Sequence, residues 1–364
     1  MTEKETEMRM QERFEKLFNE VGLIQLKQLS TPQRTGKFTV DRVADVQVNG
    51  ENVKLIIEAK SPGEPRQVRA AIQQIREYQE QLGYKDTGAT GVGTTEERAY
   101  GIVVAPYITE DTARICKENG VGYIDLAGNC FLKFGKVFIE RKNYPNPFKE
   151  KRIVKSIFSP KASRILRVML SNPKKTWQLQ ELAKESGVSL GQAFKVKKRL
   201  LDLEYAGEAN KNVELKQPDA LLSKWSENYS FRKNKLYDYF CFGELRDIEQ
   251  KIAEYCKKNN ITYALTLFSG AGLVAPYARY TRAFIYIKEK IQEVVDSLQL
   301  KPVDSGPNVT FLQPFDDGVF YDSREINGIQ VVCNIQLYLD LISYRGRGEE
   351  AAKFLLEQKI KPQW

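Results

Sequence analysis

Val43-Ala-Asp-Val-Gln-Val48, Asn49-Gly-Glu-Asn52 and Val53-Lys-Leu-Ile-Ile-Glu-Ala-Lys60 decide how the amino-terminal part of this 364-residue chain is read. Two β-rich runs flank Asn-Gly, a pair that tolerates the positive φ of a tight turn, so the stretch predicts a hairpin. Side chains alternate along a strand. Val53, Leu55, Ile57 and Ala59 therefore line one face, and Lys54, Ile56, Glu58 and Lys60 the other. On the first strand Ala44, Val46 and Val48 oppose Val43, Asp45 and Gln47 in the same way. With an even loop, either Asn49-Gly50 alone or Asn49 through Asn52, Asp45 pairs with Lys54 or Ile56 and shares a face with Glu58 and Lys60. The apolar residues of both strands then share the opposite face. An odd loop would send Asp45 to the apolar face, where an unpaired carboxylate costs several kcal/mol, so the even register is expected.

The chain contains no histidine, which removes Ser-His-Asp and Cys-His nucleophilic systems and imidazole-dependent nucleases and deaminases. Hydrolytic chemistry would have to use carboxylates, lysine and a hard metal. Asp45 and Glu58 supply oxygen ligands suited to Mg²⁺ or Mn²⁺, and such an ion lowers the pKa of a bound water. Lys60 could orient the nucleophile or stabilise the transition state. The five cysteines, Cys116, Cys130, Cys241, Cys256 and Cys333, form no C-x-x-C pair. Buried reduced thiols are expected of them, not a zinc site or a disulfide framework.

On these residues the stretch resembles the PD-(D/E)xK nuclease superfamily, whose fold is restriction-endonuclease-like. Asp45, Glu58-Ala59-Lys60, a preceding helix bearing Glu12, Glu15 and Glu20, and a following helix from Pro65 to Gln81 carry the resemblance. Within that last helix Gln74-Ile-Arg-Glu-Tyr78 is similar to the Q-x-x-x-Y element of the RecB-like branch. The resemblance implies metal binding by Asp45 and Glu58, a catalytic Lys60, and Gln74 and Tyr78 beside the site. Ala44 stands where the family often has proline.

Length predicts two or three domains, and no stretch approaches the ~20 apolar residues of a membrane span. The charged start MTEKETEMRMQERFEKLF offers no apolar signal core, so a cytoplasmic location and no membrane partner are expected. Residues 1–145 read as helix, hairpin, helix, strand, helix and hairpin, an α/β unit on a mixed sheet. Tyr100-Gly-Ile-Val-Val-Ala105 supplies its central strand, and Thr109 caps the next helix. A linker follows at Asn143 to Pro147, with a basic run from Lys149 to Lys155.

The net charge of +9 is concentrated in the middle, where 24 Lys/Arg face 10 Asp/Glu between Lys133 and Lys235. Such a local positive field is the footprint of a protein that meets a polyanion such as nucleic acid. Within it, Thr176 to Ser189 and Leu190 to Glu204 predict a helix, a glycine-containing turn and a Ser-capped second helix. Leu190, Ala193, Phe194, Val196 and Leu200 are expected as its core stripe. Gln192, Lys195, Lys197, Lys198 and Arg199 are expected to face DNA. Tyr205 to Lys216, with Asn210-Lys211-Asn212, resembles the wing of a winged helix-turn-helix, which places Lys211 at the wing tip. That domain is expected over 156–217.

The third region, 236–364, is expected to be α+β. Ala264 to Leu273 and Ile335 to Ala352 resemble the carboxyl-terminal part of AbiEi-type antitoxins of type IV toxin-antitoxin systems, over roughly residues 160 to 364. That resemblance implies DNA as partner and leaves room for a toxin or another protein partner, and for a homodimer. Ser269-Gly-Ala-Gly272 lacks the Lys-Ser/Thr of a phosphate loop and is expected as a tight turn. The whole predicts a DNA-directed, Mg²⁺- or Mn²⁺-dependent endonuclease. Its alternative is a non-catalytic DNA-binding repressor or antitoxin-like regulator with a nuclease-fold scaffold.

Overall fold

The computed structural model describes residues 3–22, 24–30, 40–48, 50–86, 98–148 and 157–364. The chain forms two compact units, one of Met1–Val154 with Asp202–Glu204, the other of Lys155–Leu201 with Tyr205–Trp364. The expected turn residue Asn49, the basic run Lys149 to Lys155 and the side chain of Glu15 lie outside the described residues.

The first unit begins with α1 (Glu3–Val21), β1 (Ile24–Ser30), β2 (Arg42–Val48) and β3 (Glu51–Ala59). It continues with α2 (Pro65–Gln81), the short β4 (Lys85–Asp86), β5 (Arg98–Ala105), α3 (Glu110–Glu118), β6 (Gly122–Asp125), β7 (Cys130–Phe134) and β8 (Val137–Arg141). Its sheet runs β1-β2-β3-β5-β6-β7-β8, with β4 beside β5. The β3–β5 and β5–β6 pairings are parallel, whereas β1–β2, β2–β3, β6–β7 and β7–β8 are antiparallel.

Met10, Phe14, Leu17 and Phe18 recur at helical spacing on α1 and bury against Ala44, Val46, Leu55 and Ile57 on one face of the sheet. The other face, with Ile56 and Val103, is covered by Val68, Ile72 and Ile75 of α2 and Ile115 of α3. A parallel strand pair needs both faces covered, and these helices cover them. Gly101 permits the approach of α2: a Cβ there would lie 2.6 Å from Ile75 Cγ2. The mixed α/β order expected for this region is observed, as are the α2 boundaries and the Thr109 cap, whose side chain accepts from Thr112 N. The strands β1, β4 and β6 lie outside the expected order.

The second unit opens with α4 (Pro160–Ser171), α5 (Leu179–Glu185), α6 (Leu190–Asp202) and the hairpin β9 (Ala206–Ala209) and β10 (Asn212–Leu215). Trp177 exchanges both backbone hydrogen bonds with Val213 and so ties the α4–α5 connection to the hairpin. Next come α7 (Pro218–Ser226), β11 (Lys235–Phe240), α8 (Leu245–Lys258), β12 (Tyr263–Leu265), α9 (Leu267–Val274) and β13 (Ala283–Ile287). The chain finishes with α10 (Ile291–Ser297), β14 (Lys301–Pro302), β15 (Val309–Gln313), β16 (Arg324–Ile326), β17 (Ile329–Val331), α11 (Asn334–Ile342) and α12 (Arg347–Leu355). The second sheet is ordered β14-β11-β15-β13-β12-β17-β16, with β13–β15 and β12–β17 parallel.

The regions expected separately at 156–217 and 236–364 fall in one compact unit, and polar contacts join them. Arg164 of α4 donates from Nε and Nη2 to the Asp316 carboxylate, and buried Arg167 donates to Gln336 Oε1 of α11 at 2.7 Å. The Gln336 amide donates in turn to Asp340, a fully buried carboxylate that also accepts from Tyr229, Tyr286 and Thr266. Ser269 to Gly272 is not the expected turn but part of α9, where small residues admit a close neighbour: a Cβ on Gly272 would lie 2.8 Å from the Tyr280 ring.

Candidate functional site

The β2–β3 register pairs Asp45 with Lys54 and Arg42 with Ile57, which means a two-residue turn and the even loop expected. The same register sets Asp41, one residue before Arg42, opposite Glu58. Asp41 N donates to Glu58 Oε2 at 3.2 Å, and Asp41 Oδ2 accepts from Ala59 N at 2.7 Å. Lys60 Nζ lies 2.7 Å from Glu58 Oε1. The cluster at this end of the hairpin is therefore Asp41, Glu58 and Lys60. It stands at the carboxyl end of β3, where Lys60 N is held by Val104 O of the neighbouring parallel strand.

Asp45 is not part of it. Its partner Lys54 precedes Glu58 by four residues, roughly 13 Å along a strand at ~3.3 Å per residue. Its carboxylate instead forms a half-exposed ion pair with Lys54 Nζ at 2.9 Å. The signal for Asp41 in the sequence is the hairpin register carried one pair beyond Arg42 and Ile57.

Tyr78 departs from expectation as well. Tyr78 is buried in the core beneath α2, and its neighbour Gln79 donates to Ala99 O. Ala99 is aligned with Lys54, so this end of α2 overlies the far end of β3 from Glu58. Gln74, one turn earlier, is half-buried. As for the first helix, α1 packs on the face of Leu55 and Ile57, opposite that of Ile56 and Glu58. Glu12 is exposed, and Glu20 is engaged by Arg141 at 2.5 Å.

Glu58 is only 2% exposed, and this burial raises its carboxyl to about 7. The hydrogen bond from Lys60 opposes that shift, and the neighbouring Asp41 charge adds to it. Asp125, at the end of β6, is also raised by burial, yet it accepts from Ile108 N, Gly128 N, Asn129 N and Asn129 Nδ2. Those four donors make it a turn cap with both oxygens engaged. Among the described residues no group of three or more His, Cys, Asp or Glu side chains is placed to hold a metal. Asp41 and Glu58 are hard oxygen donors of the kind Mg²⁺ and Mn²⁺ take, and each oxygen keeps lone pairs beyond its present hydrogen bond. All five cysteines are free.

In the second unit α6 buries Ala193, Val196 and Leu200, as expected. Leu190 and Phe194 do not join them: they are 47% and 56% exposed. At 100° per residue these two fall on the solvent side of the helix with Lys195 and Lys198, which are also exposed. Gln192 and Arg199 are half-buried on its flank. Lys197 is turned the other way, to Glu208 on the hairpin at 2.6 Å, with 14% of its side chain exposed. It is thus committed inside the fold, contrary to expectation. Lys211 is exposed at the β9–β10 turn, where Asn210 and Lys211 both adopt positive φ. The side chain of Ser189 accepts from Gln192 N and caps α6.

Residues 214–361 match the AbiEi family model. Its description reads transcriptional regulator, AbiEi antitoxin, type IV toxin-antitoxin system, and the match spans less than half of the chain. Both stretches that carried the resemblance in the sequence, Ala264 to Leu273 and Ile335 to Ala352, lie inside it. No curated protein matches the chain, and no solved structure does. No helix among the described residues is long and apolar enough to cross a membrane.

Proposed function

We propose that this protein is a DNA-binding transcriptional regulator of the antitoxin type, in which α4, α5, α6 and the β9–β10 hairpin act as a winged helix-turn-helix. The observation that carries this reading is the outward face of α6. Lys195 and Lys198 project from it, and Lys211 stands at the hairpin turn. Among the described residues neither Lys195 nor Lys198 forms an ion pair, so their charge is available to phosphates. The AbiEi match over the adjoining residues supports the same role, since that family is described as a transcriptional regulator. A toxin would be the natural protein partner of the carboxyl-terminal region. The test is duplex binding by the full chain: Lys195→Ala with Lys198→Ala should weaken it strongly, and Lys197→Ala much less.

A second reading rests on one further observation, the juxtaposition of Asp41, Glu58 and Lys60. This is the residue set of a PD-(D/E)xK nuclease, with Asp41 in place of Asp45. Asp41 and Glu58 would hold Mg²⁺ or Mn²⁺, which would supply an activated water, and Lys60 would sit beside it. Plasmid incubated with Mn²⁺ separates the readings. A nuclease cuts only with metal, loses activity in Asp41→Asn and Lys60→Ala, and keeps it in Asp45→Asn. A regulator leaves the plasmid intact.

A further inference from the structure

Helix α6 leaves two large apolar side chains in solvent although its own core side is filled by Ala193, Val196 and Leu200. Leu190 and Phe194 are four residues apart and so lie one above the other on the exposed side. Between them is Gly191, where an added Cβ would meet nothing within 4 Å. Nothing inside the protein therefore requires glycine there, although glycine within a helix is less favourable than alanine. Lys195 and Lys198 flank the apolar pair. A helix surface of this kind fits an apolar target set among negative charges, reached by close backbone approach.

The major groove of duplex DNA offers one apolar group on its floor, the C5-methyl of thymine, between two rows of phosphates. The amino-terminal half of the second helix in a helix-turn-helix is the part that reaches base edges. Leu190, Gly191, Phe194 and Lys195 occupy that half of α6. We infer that Phe194 is the specificity-determining contact for thymine methyl groups, and that Gly191 lets the helix backbone approach the base edge. The flanking lysines favour a polyanion over a protein as the occupant of this face. The inference rests on the DNA-binding reading above and adds what the helix recognises.

The experiment begins with selection of a duplex from a random-sequence pool by the full chain. The enriched duplex is then remade with deoxyuridine at every thymidine, which keeps pairing and removes only the methyl groups. Wild-type protein should bind the uracil duplex about fourfold more weakly for each methyl contacted. Phe194→Ala should bind the thymine duplex more weakly, show no preference between the two duplexes, and melt as wild type because the ring is exposed. Gly191→Ala should weaken binding to both. Equal wild-type affinity for the two duplexes, a preference retained in Phe194→Ala, or an enriched site without thymine would each overturn the inference while DNA binding stands. Failure to enrich any duplex would overturn the DNA-binding reading and this inference with it.

Discussion

Glu58→Gln should abolish a pH dependence of stability that is built into the first unit. The carboxyl of Glu58 is pushed up from 4.5, its value when free, to about 7 in the folded protein, because burial takes the side chain out of water. Between those values the folded form holds a proton that the unfolded chain has released. The contribution is fully present below about pH 4.5 and is lost as pH rises through 7. At 1.36 kcal/mol per pKa unit, the rise from 4.5 to about 7 amounts to roughly 3 kcal/mol. All three tryptophans, Trp177, Trp225 and Trp364, lie in the second unit, so tryptophan emission does not report on this event. Hydrogen exchange of peptides covering β3 does. In wild-type protein the opening free energy of β3 should fall by a few kcal/mol between pH 5 and pH 8, relative to Glu58→Gln. The amide variant cancels contributions from other groups such as Asp125, since those are common to both proteins. Identical pH profiles for the two would show that Glu58 keeps an ordinary carboxyl and that the buried pair with Lys60 is not as described.

Two further outcomes are expected. If Asp41 and Glu58 form an ion site, Mn²⁺ should raise the protection of β3 at pH 8 in wild type and in Asp45→Asn but not in Asp41→Asn. Protection lost equally in both variants would restore Asp45 to the site. Asp340→Ala should lower the stability of the second unit by about 3 kcal/mol or more, since it leaves donors of Tyr229, Tyr286, Gln336 and Thr266 unpaired in the interior. Denaturant unfolding followed by tryptophan emission checks this, and a loss below 1 kcal/mol would mean that water or neighbours replace the carboxylate.

Much of the first unit could be read from local pattern, because its signals are local. The Asn-Gly turn and the alternation of Val53 to Lys60 determine the hairpin, its register and the face of every side chain. Pro65 and the apolar spacing of Val68, Ile72 and Ile75 mark α2. What local pattern could not supply was the choice among acids. Asp41 and Asp45 share a face, and only distance along the strand from Glu58 separates them. Tyr78 shows a related limit, since an aromatic at helical spacing is compatible with a site or a core, and the sheet beneath α2 decides for the core. On α6 the apolar pattern of Leu190 and Phe194 is wider than the groove available to bury it, because Ala193, Val196 and Leu200 already fill the core side. The joining of the two regions after residue 155 depends on Arg164, Arg167, Asp316 and Gln336, whose pairings span about 150 to 170 positions and leave no periodic trace.

The salt dependence of duplex binding reports whether the outward face of α6 meets phosphates. Affinity measured by fluorescence anisotropy between 50 and 200 mM salt should fall linearly on logarithmic axes, by a slope of about 0.9 for each phosphate engaged. Replacing Lys195 and Lys198 together should reduce that slope by about 2 and weaken binding across sequences. A wild-type protein that binds no duplex, or a slope unchanged by removing both lysines, would contradict the assignment of α6 as the DNA-facing helix.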